Sequence, residues 1–218
     1  MTTPGFLRST LLDELGIEHG FGTRGSTDLE IPDLALVTQV HGNAMLRVPP
    51  LDADARADAL WTQEPDLAVG VCTADCVPVL IVDPGRAGVA AIHAGWRGSA
   101  ARICELGVAE LACSIGRDPA SLVAAIGPHI GPCCYEVDGP VREAIREDSV
   151  FRPSLKRGDH SMLDLYALNL LQLLRAGLLP ERIQRVGGCT ACDSERFVSY
   201  RRDGSGARMV HFVRMPFP

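Results

Sequence analysis

Five short runs, 36–40, 44–48, 67–71, 77–82 and 89–93, are rich in valine, isoleucine and leucine and are bounded by glycine, proline or aspartate. Runs this short and this apolar read as strands buried on both faces. A sixth, 122–126, reads the same way. Helical spacing is confined to two segments. In 99–113 it is carried by Ile103, Leu106, Val108 and Leu111 with Gly116 as a stop, and in 164–176 by Leu165, Leu168, Leu171, Gln172 and Leu174 with Gly177 as a stop. Residues 127–132 (GPHIGP) predict an irregular loop, because each proline lacks a donor and restricts its predecessor. Near the end, 197–201 and 209–213 flank Arg202-Asp203-Gly204-Ser205-Gly206, which predicts a terminal hairpin. Strands both with and without intervening helices predict an α+β fold of mixed sheets covered by helices.

No linker, repeat or charge block divides the 218 residues, so 1–218 is expected to be one domain, with 49–56 and 152–160 as surface loops. With 46% hydrophobic and 22% charged residues the chain has ample material for a core. Its net charge of -6 argues against a surface that neutralises a phosphate backbone, so nucleic acid is not an expected partner. The apolar stretches 67–82 and 87–94 are broken by aspartate or too short to cross a bilayer, so no membrane partner is expected either. The N-terminal residues lack a basic start, an apolar centre and a cleavage site, which points to the cytoplasm. In that reducing compartment the eight cysteines read as buried thiols, metal ligands or nucleophiles rather than disulfides.

His41 and His93 each end a predicted strand, and Cys76 directly precedes another. Were those strands neighbours, a Cys/His/His set would leave one tetrahedral position open on zinc, as catalytic sites require. Two other readings stand beside it. Cys72-x3-Cys76 with Cys189-x2-Cys192 would make a closed four-thiolate site, and Cys76 could be a nucleophile with His93 or His41 as its base. Cys104 and Cys113 fall in the first helix as core residues, and the adjacent Cys133 and Cys134 read as loop packing. For anions the candidates are Arg24, Arg97, Arg201 and Arg202, with Gly95 and Gly98 placed to let backbone donors approach a ligand beside Arg97.

The ordered set TQVHG (38–42), TADCVPVL (73–80), HAGWRG (93–98), IGPHIGPCCYEV (126–137) and SYRRDG (199–204) strongly resembles the YfiH or laccase-domain family over 21–213. The resemblance implies a layered α/β/β/α sandwich and zinc held by His41, Cys76 and His93. It implies phosphorolysis of adenosine, inosine and methylthioadenosine, so that purine nucleoside and phosphate are the partners, with adenosine deamination as a further activity. Arg24 matches the family's Thr-Arg start, and Asp75 beside Cys76 is the candidate proton carrier for attack by a zinc-activated water. Members have also been described as polyphenol oxidases and as editors of peptidoglycan precursors. Six histidines are too few for a blue-copper site plus a trinuclear cluster. A peptidoglycan-precursor editing hydrolase is therefore the alternative, and a zinc-stabilised binding module the third reading. The chain departs from the family pattern between Gly25 and Thr38, where a much longer segment is expected.

Overall fold

The computed structural model describes residues 5–26, 30–49, 52, 54–155 and 159–217; parts of both expected surface loops, at 50, 51, 53 and 156–158, lie outside them. Val77–Val82 and Val89–Ala94 are buried along their whole length and pair antiparallel at the centre of a six-stranded sheet. Val123–Ile126 and then Ile183–Arg185 extend it on one side, Ala59–Thr62 and then Met45–Val48 on the other, the two outermost pairings being parallel. The side chains divide by alternation. Val79, Ile81, Ala90 and Ile92 join a core with the helices Ile103–Ile115 and Leu165–Arg175, while Leu80, Val82, Val89 and Ala91 face a second sheet.

That second sheet has the order Phe6–Leu7, His19–Gly22, Met209–Arg214, Ala68–Thr73, Leu34–Ala35, and contributes Phe21, Val69, Val71 and Val213 to the inter-sheet core. The α+β class with two packed mixed sheets is thus present. The helical cover lies on the six-stranded sheet. On the other sheet, Phe6 and Phe212, edge to face at 5.3 Å, roof Gly20, and Leu34, with Leu36 just past the sheet's edge strand, lies over Gly70. A small third sheet joins Glu136–Val137, Ser161–Leu163 and Phe151–Pro153, so part of the loop expected at 152–160 is paired strand.

Three local expectations fail, each for a tertiary reason. Segment 36–40 is not a strand: Leu36 and Val40 are exposed, and the Gln39 side chain takes over the pairing by donating to the Cys72 carbonyl (2.9 Å) and accepting from the Cys72 amide (2.7 Å). The helix expected at 99–113 is two, Trp96–Ala100 and Ile103–Ile115, broken at Arg102 with φ 61°. Gln172 bridges the break by donating to the Ser99 carbonyl (2.7 Å) and accepting from the Cys104 amide (3.3 Å), which satisfies groups that a helix end leaves open. The terminal hairpin is absent. Ser199 caps a helical turn, Tyr200–Asp203, closed by Gly204 at φ 62°, and Met209–Arg214 pairs with Ala68–Thr73 and His19–Gly22 instead.

Candidate functional site

The register of the two central strands sets Pro78 opposite His93, so Cys76, two residues earlier, emerges on the same face at the same end. This is the face turned to the second sheet, so both side chains stand where the inter-sheet core opens. His41 arrives from elsewhere. It sits in a turn at φ 58° whose amides converge on one buried carboxylate: Asp58 accepts from the N–H of Val40 (3.3 Å), His41 (2.8 Å) and Gly42 (2.6 Å). Asp58 directly precedes Ala59–Thr62, the strand beside His93. Its backbone carbonyl accepts from the His93 amide (2.7 Å), and its Oδ1 lies 2.8 Å from His93 Nδ1. One carboxylate therefore orients both histidines and leaves His93 Nε2 toward the cluster, the arrangement that supports metal-ligating imidazoles.

One donor atom each of His41, Cys76 and His93 lies within 4.8 Å of the other two, and the imidazole centroids are 4.9 Å apart. Burial pushes the Cys76 thiol up, but hydrogen bonds and positive charge from His41 and His93 outweigh it and bring it down to about 7. Burial likewise opposes charge on His93, yet Asp58 and Cys76 raise it to about 9. Burial also works against the Asp58 carboxylate, and His93 with the Gly42 and His41 amides hold it below its usual range. Two imidazoles and a sulfur that readily becomes thiolate fit a borderline-soft cation in tetrahedral geometry. Gly95 is required here: a Cβ on it would stand 3.0 Å from Cys76 Sγ and 3.2 Å from His41 Nδ1.

The three residues line one wall of a cleft of about 720 Å³, a size usual for small-molecule sites. Asp75, Arg97 and Arg201 line it too. Asp75, at φ 92°, uses both oxygens: Oδ1 accepts from Thr190 Oγ1 (2.6 Å) and Oδ2 from the Arg201 amide (2.6 Å). Arg97 is exposed, lies 4.3 Å over the Trp96 ring and, among the described residues, makes no ion pair. Arg201 stacks 5.0 Å over Tyr135 and donates to the Glu136 carbonyl (2.9 Å).

Arg24, Arg202 and Gly98 do not line the cleft. Arg24 donates to the carbonyls of Ser194 and Phe197 (both 3.2 Å), and Arg202 to those of Thr190 (2.7 Å) and Phe197 (2.8 Å), so both brace loops. Gly98 is a packing residue, since a Cβ would come 2.8 Å from the Gly42 carbonyl. Asp58, buried behind the two histidines, and Tyr135 and Arg208 in the cleft lining escaped sequence reading. The signal for Asp58 is an acid heading the apolar run 57–62 (ADALWT).

The four-thiolate pairing of Cys72 and Cys76 with Cys189 and Cys192 is not formed. Cys72 and Cys76 line the cleft, and Cys189 and Cys192 instead meet Cys133 and Cys134, which are therefore more than loop packing. Cys104 is buried as expected, whereas Cys113 is exposed. Three of the remaining histidines are structural. His211 accepts from the Gly22 amide at Nδ1 (3.1 Å), which leaves Nε2–H to donate to Thr73 Oγ1 (2.8 Å). His19 Nε2 accepts from the Ser9 amide (2.8 Å). His129 Nδ1 donates to the Gly127 carbonyl (2.7 Å). Burial lowers His211 to about 3 and His129 to about 4, so both are neutral.

A model of the family described as "Multi-copper polyphenol oxidoreductase laccase" matches residues 23–216. The chain is 37% identical over 178 residues to purine nucleoside phosphorylase YfiH of Escherichia coli, covering 80% of this chain and 71% of that protein. It is 33% identical over 206 residues to purine nucleoside phosphorylase YlmD of Bacillus subtilis, covering 87% and 73%. Among solved structures, the hypothetical protein YfiH of Bacillus licheniformis superposes with a TM-score of 0.87 at 29% identity, over 98% of this chain and 97% of that one. YlmD of Geobacillus stearothermophilus does so with a TM-score of 0.87 at 27% identity, over 100% and 98%.

Proposed function

The chain belongs to the family described as multi-copper polyphenol oxidoreductase laccase, and on that premise we propose that it is a purine nucleoside phosphorylase, as its relatives are named. We further propose a zinc ion on His41, Cys76 and His93, adenosine deamination as an additional activity, and a cytoplasmic setting. No helix among the described residues is long and apolar enough to cross a membrane. The observation that carries the reading is one cleft holding both an open three-donor set and the cations of Arg97 and Arg201. Copper oxidase chemistry needs a mononuclear site and a histidine-rich trinuclear cluster. The described residues bring only His41 and His93 to the cleft.

Phosphorolysis breaks the bond between the ribose anomeric carbon and the purine nitrogen, joins a phosphate oxygen to that carbon and returns a proton to the base. Arg97, which lies over the Trp96 ring without an acidic partner among the described residues, would bind the phosphate dianion, with Arg201 lining the same cleft. Burial and the nearby Cys76 hold the Tyr135 phenol up at about 12, against the opposing charge of Arg201, so it stays protonated and can donate toward the departing base. Asp75 anchors the Arg201 amide and Thr190. Zinc, when bound, supplies Lewis acidity and an acidified water for deamination.

The test is purified, zinc-loaded protein with adenosine or inosine, with and without phosphate and chelator, and the products separated by chromatography. Phosphate-dependent release of free base with ribose 1-phosphate is expected; turnover of a cell-wall precursor and of no nucleoside would move the assignment to the editing hydrolase. Arg97→Ala should raise the phosphate KM by about ten- to a hundredfold, the worth of one charge-assisted hydrogen bond, with nucleoside KM little changed. An unaltered phosphate KM removes Arg97 from the anion site. For Asp75→Asn, anchoring predicts a higher phosphate KM at wild-type zinc content, because an amide cannot accept from both Thr190 and Arg201. Loss of inosine formation in kcat alone would instead make Asp75 the proton carrier.

A further inference from the structure

Val123–Ile126 and Ile183–Arg185 are parallel neighbours, so the chain segments leaving their C-terminal ends run side by side. The pairing continues beyond the strands: the Val186 amide donates to the Ile126 carbonyl (2.8 Å) and the Thr190 amide to that of His129 (3.0 Å). Gly131 then turns the first segment sharply, its carbonyl accepting from the amides of Cys134 and Tyr135 (both 3.0 Å). As a result Cys133 and Cys134 face Cys189 and Cys192, and the four Sγ atoms all lie within 4.8 Å of one another. Cys192 Sγ is 3.5 Å from that of Cys133 and 3.4 Å from that of Cys134.

These separations are far beyond a disulfide bond of about 2.0 Å. The two shortest are a few tenths of an ångström under the roughly 3.8 Å between sulfurs that a tetrahedral zinc with Zn–S of about 2.3 Å demands, and the 4.8 Å limit on the rest leaves room for that spacing. The Gly131 N–H donates to Cys189 Sγ at 3.2 Å, a bond that stabilises negative sulfur. A Cβ on Gly131 would stand 3.3 Å from Cys133 Sγ and 3.6 Å from Cys189 Sγ, so the backbone at Gly131 runs directly against the gathered sulfurs. Four thiolates around one divalent cation carry a net double negative charge, and Arg201 and Arg202 line the same cavity as Cys133 and Cys134. Cys133 and Cys192 are exposed, which gives a cation an entry path. No residue is shared with the cleft set of His41, Cys76 and His93.

We propose that Cys133, Cys134, Cys189 and Cys192 form a second, closed tetrathiolate zinc site that ties the 131–134 turn to the 189–192 turn. In the binding step four S–H bonds yield their protons to solvent and four Zn–S bonds form, without redox change. The tie braces the cleft from below: Thr190, inside one turn, donates to Asp75 (2.6 Å), and Tyr135, which lines the cleft, directly follows the other.

Full-length protein is purified under reductant, titrated with zinc, desalted and analysed for metal. Wild type should retain two zinc ions per chain, Cys76→Ala one, and the Cys133→Ser/Cys192→Ser double variant one. Cobalt loaded in place of zinc should give a strong sulfur-to-metal charge-transfer band that Cys76→Ala largely keeps and that the double variant reduces to the weak band of the single Cys76 thiolate. A single zinc in wild type that the double variant loses and Cys76→Ala keeps supports this site and overturns the cleft metal instead. A single zinc that vanishes with Cys76→Ala overturns the proposal, and so does a Cys192 disulfide found by mass spectrometry after thiol blocking. Should the double variant fail to fold, wild type and Cys76→Ala alone decide.

Discussion

Cys76→Ala is expected to empty the cleft of its metal and to lower nucleoside turnover at least about a hundredfold, since Lewis-acid stabilisation is worth several kcal/mol and each 1.36 kcal/mol is a factor of ten. The fold should survive. Cys76 is half-buried and precedes its strand rather than lying inside it, so truncation removes one sulfur and leaves the Val77–Val82 pairing intact. His41→Ala should behave alike, because the turn is held through backbone amides and not through the ring. Metal analysis and turnover on the same preparation check this. Wild-type turnover in a metal-free Cys76→Ala protein would take both the metal and the thiol out of the reaction.

Asp58→Ala should be the most destabilising of the site substitutions. It strips the acceptor from three backbone amides and leaves His93, buried to 2% exposure, without its partner. Breaking a buried charged pair from one side costs about 3–5 kcal/mol, which in a chain of this length lowers Tm by the order of 10 °C. Asp58→Asn separates the two duties. Its amide oxygen can replace Oδ2 toward the Val40 and Gly42 amides but not Oδ1 toward that of His41, so part of the stability should return, whereas the weaker hold on His93 Nδ1 should cut zinc affinity by about 10- to 100-fold. Calorimetry read beside zinc competition with a chelator tests both arms. Wild-type affinity in Asp58→Asn would mean that His93 needs no orienting carboxylate.

Whatever depends on neighbours within a few residues was legible in the chain itself. The strand at 77–82 was, because a run buried on both faces has no polar alternation to confuse it, and Gly116 and Gly177 closed their helices at φ 65° and 105° as glycines after a helix do. His41, Cys76 and His93 stood out because the sequence predicts a strand beginning or ending at each, although the structure places His41 in a turn rather than at a strand end. Tertiary structure alone decided which candidates come together. The arginines at 24, 97, 201 and 202 look alike in sequence, and their surroundings diverge because carbonyls claim Arg24 and Arg202 while Arg97, which makes no ion pair among the described residues, rests on the Trp96 ring. Cys189-x2-Cys192 was visible as half of a site, but its other half follows from the parallel register of Ile183–Arg185 on Val123–Ile126, which no local pattern encodes. Asp58 belongs to the same class: its function lies in donors contributed by residues 40–42 and 93, and only the folded sheet brings them to one carboxylate.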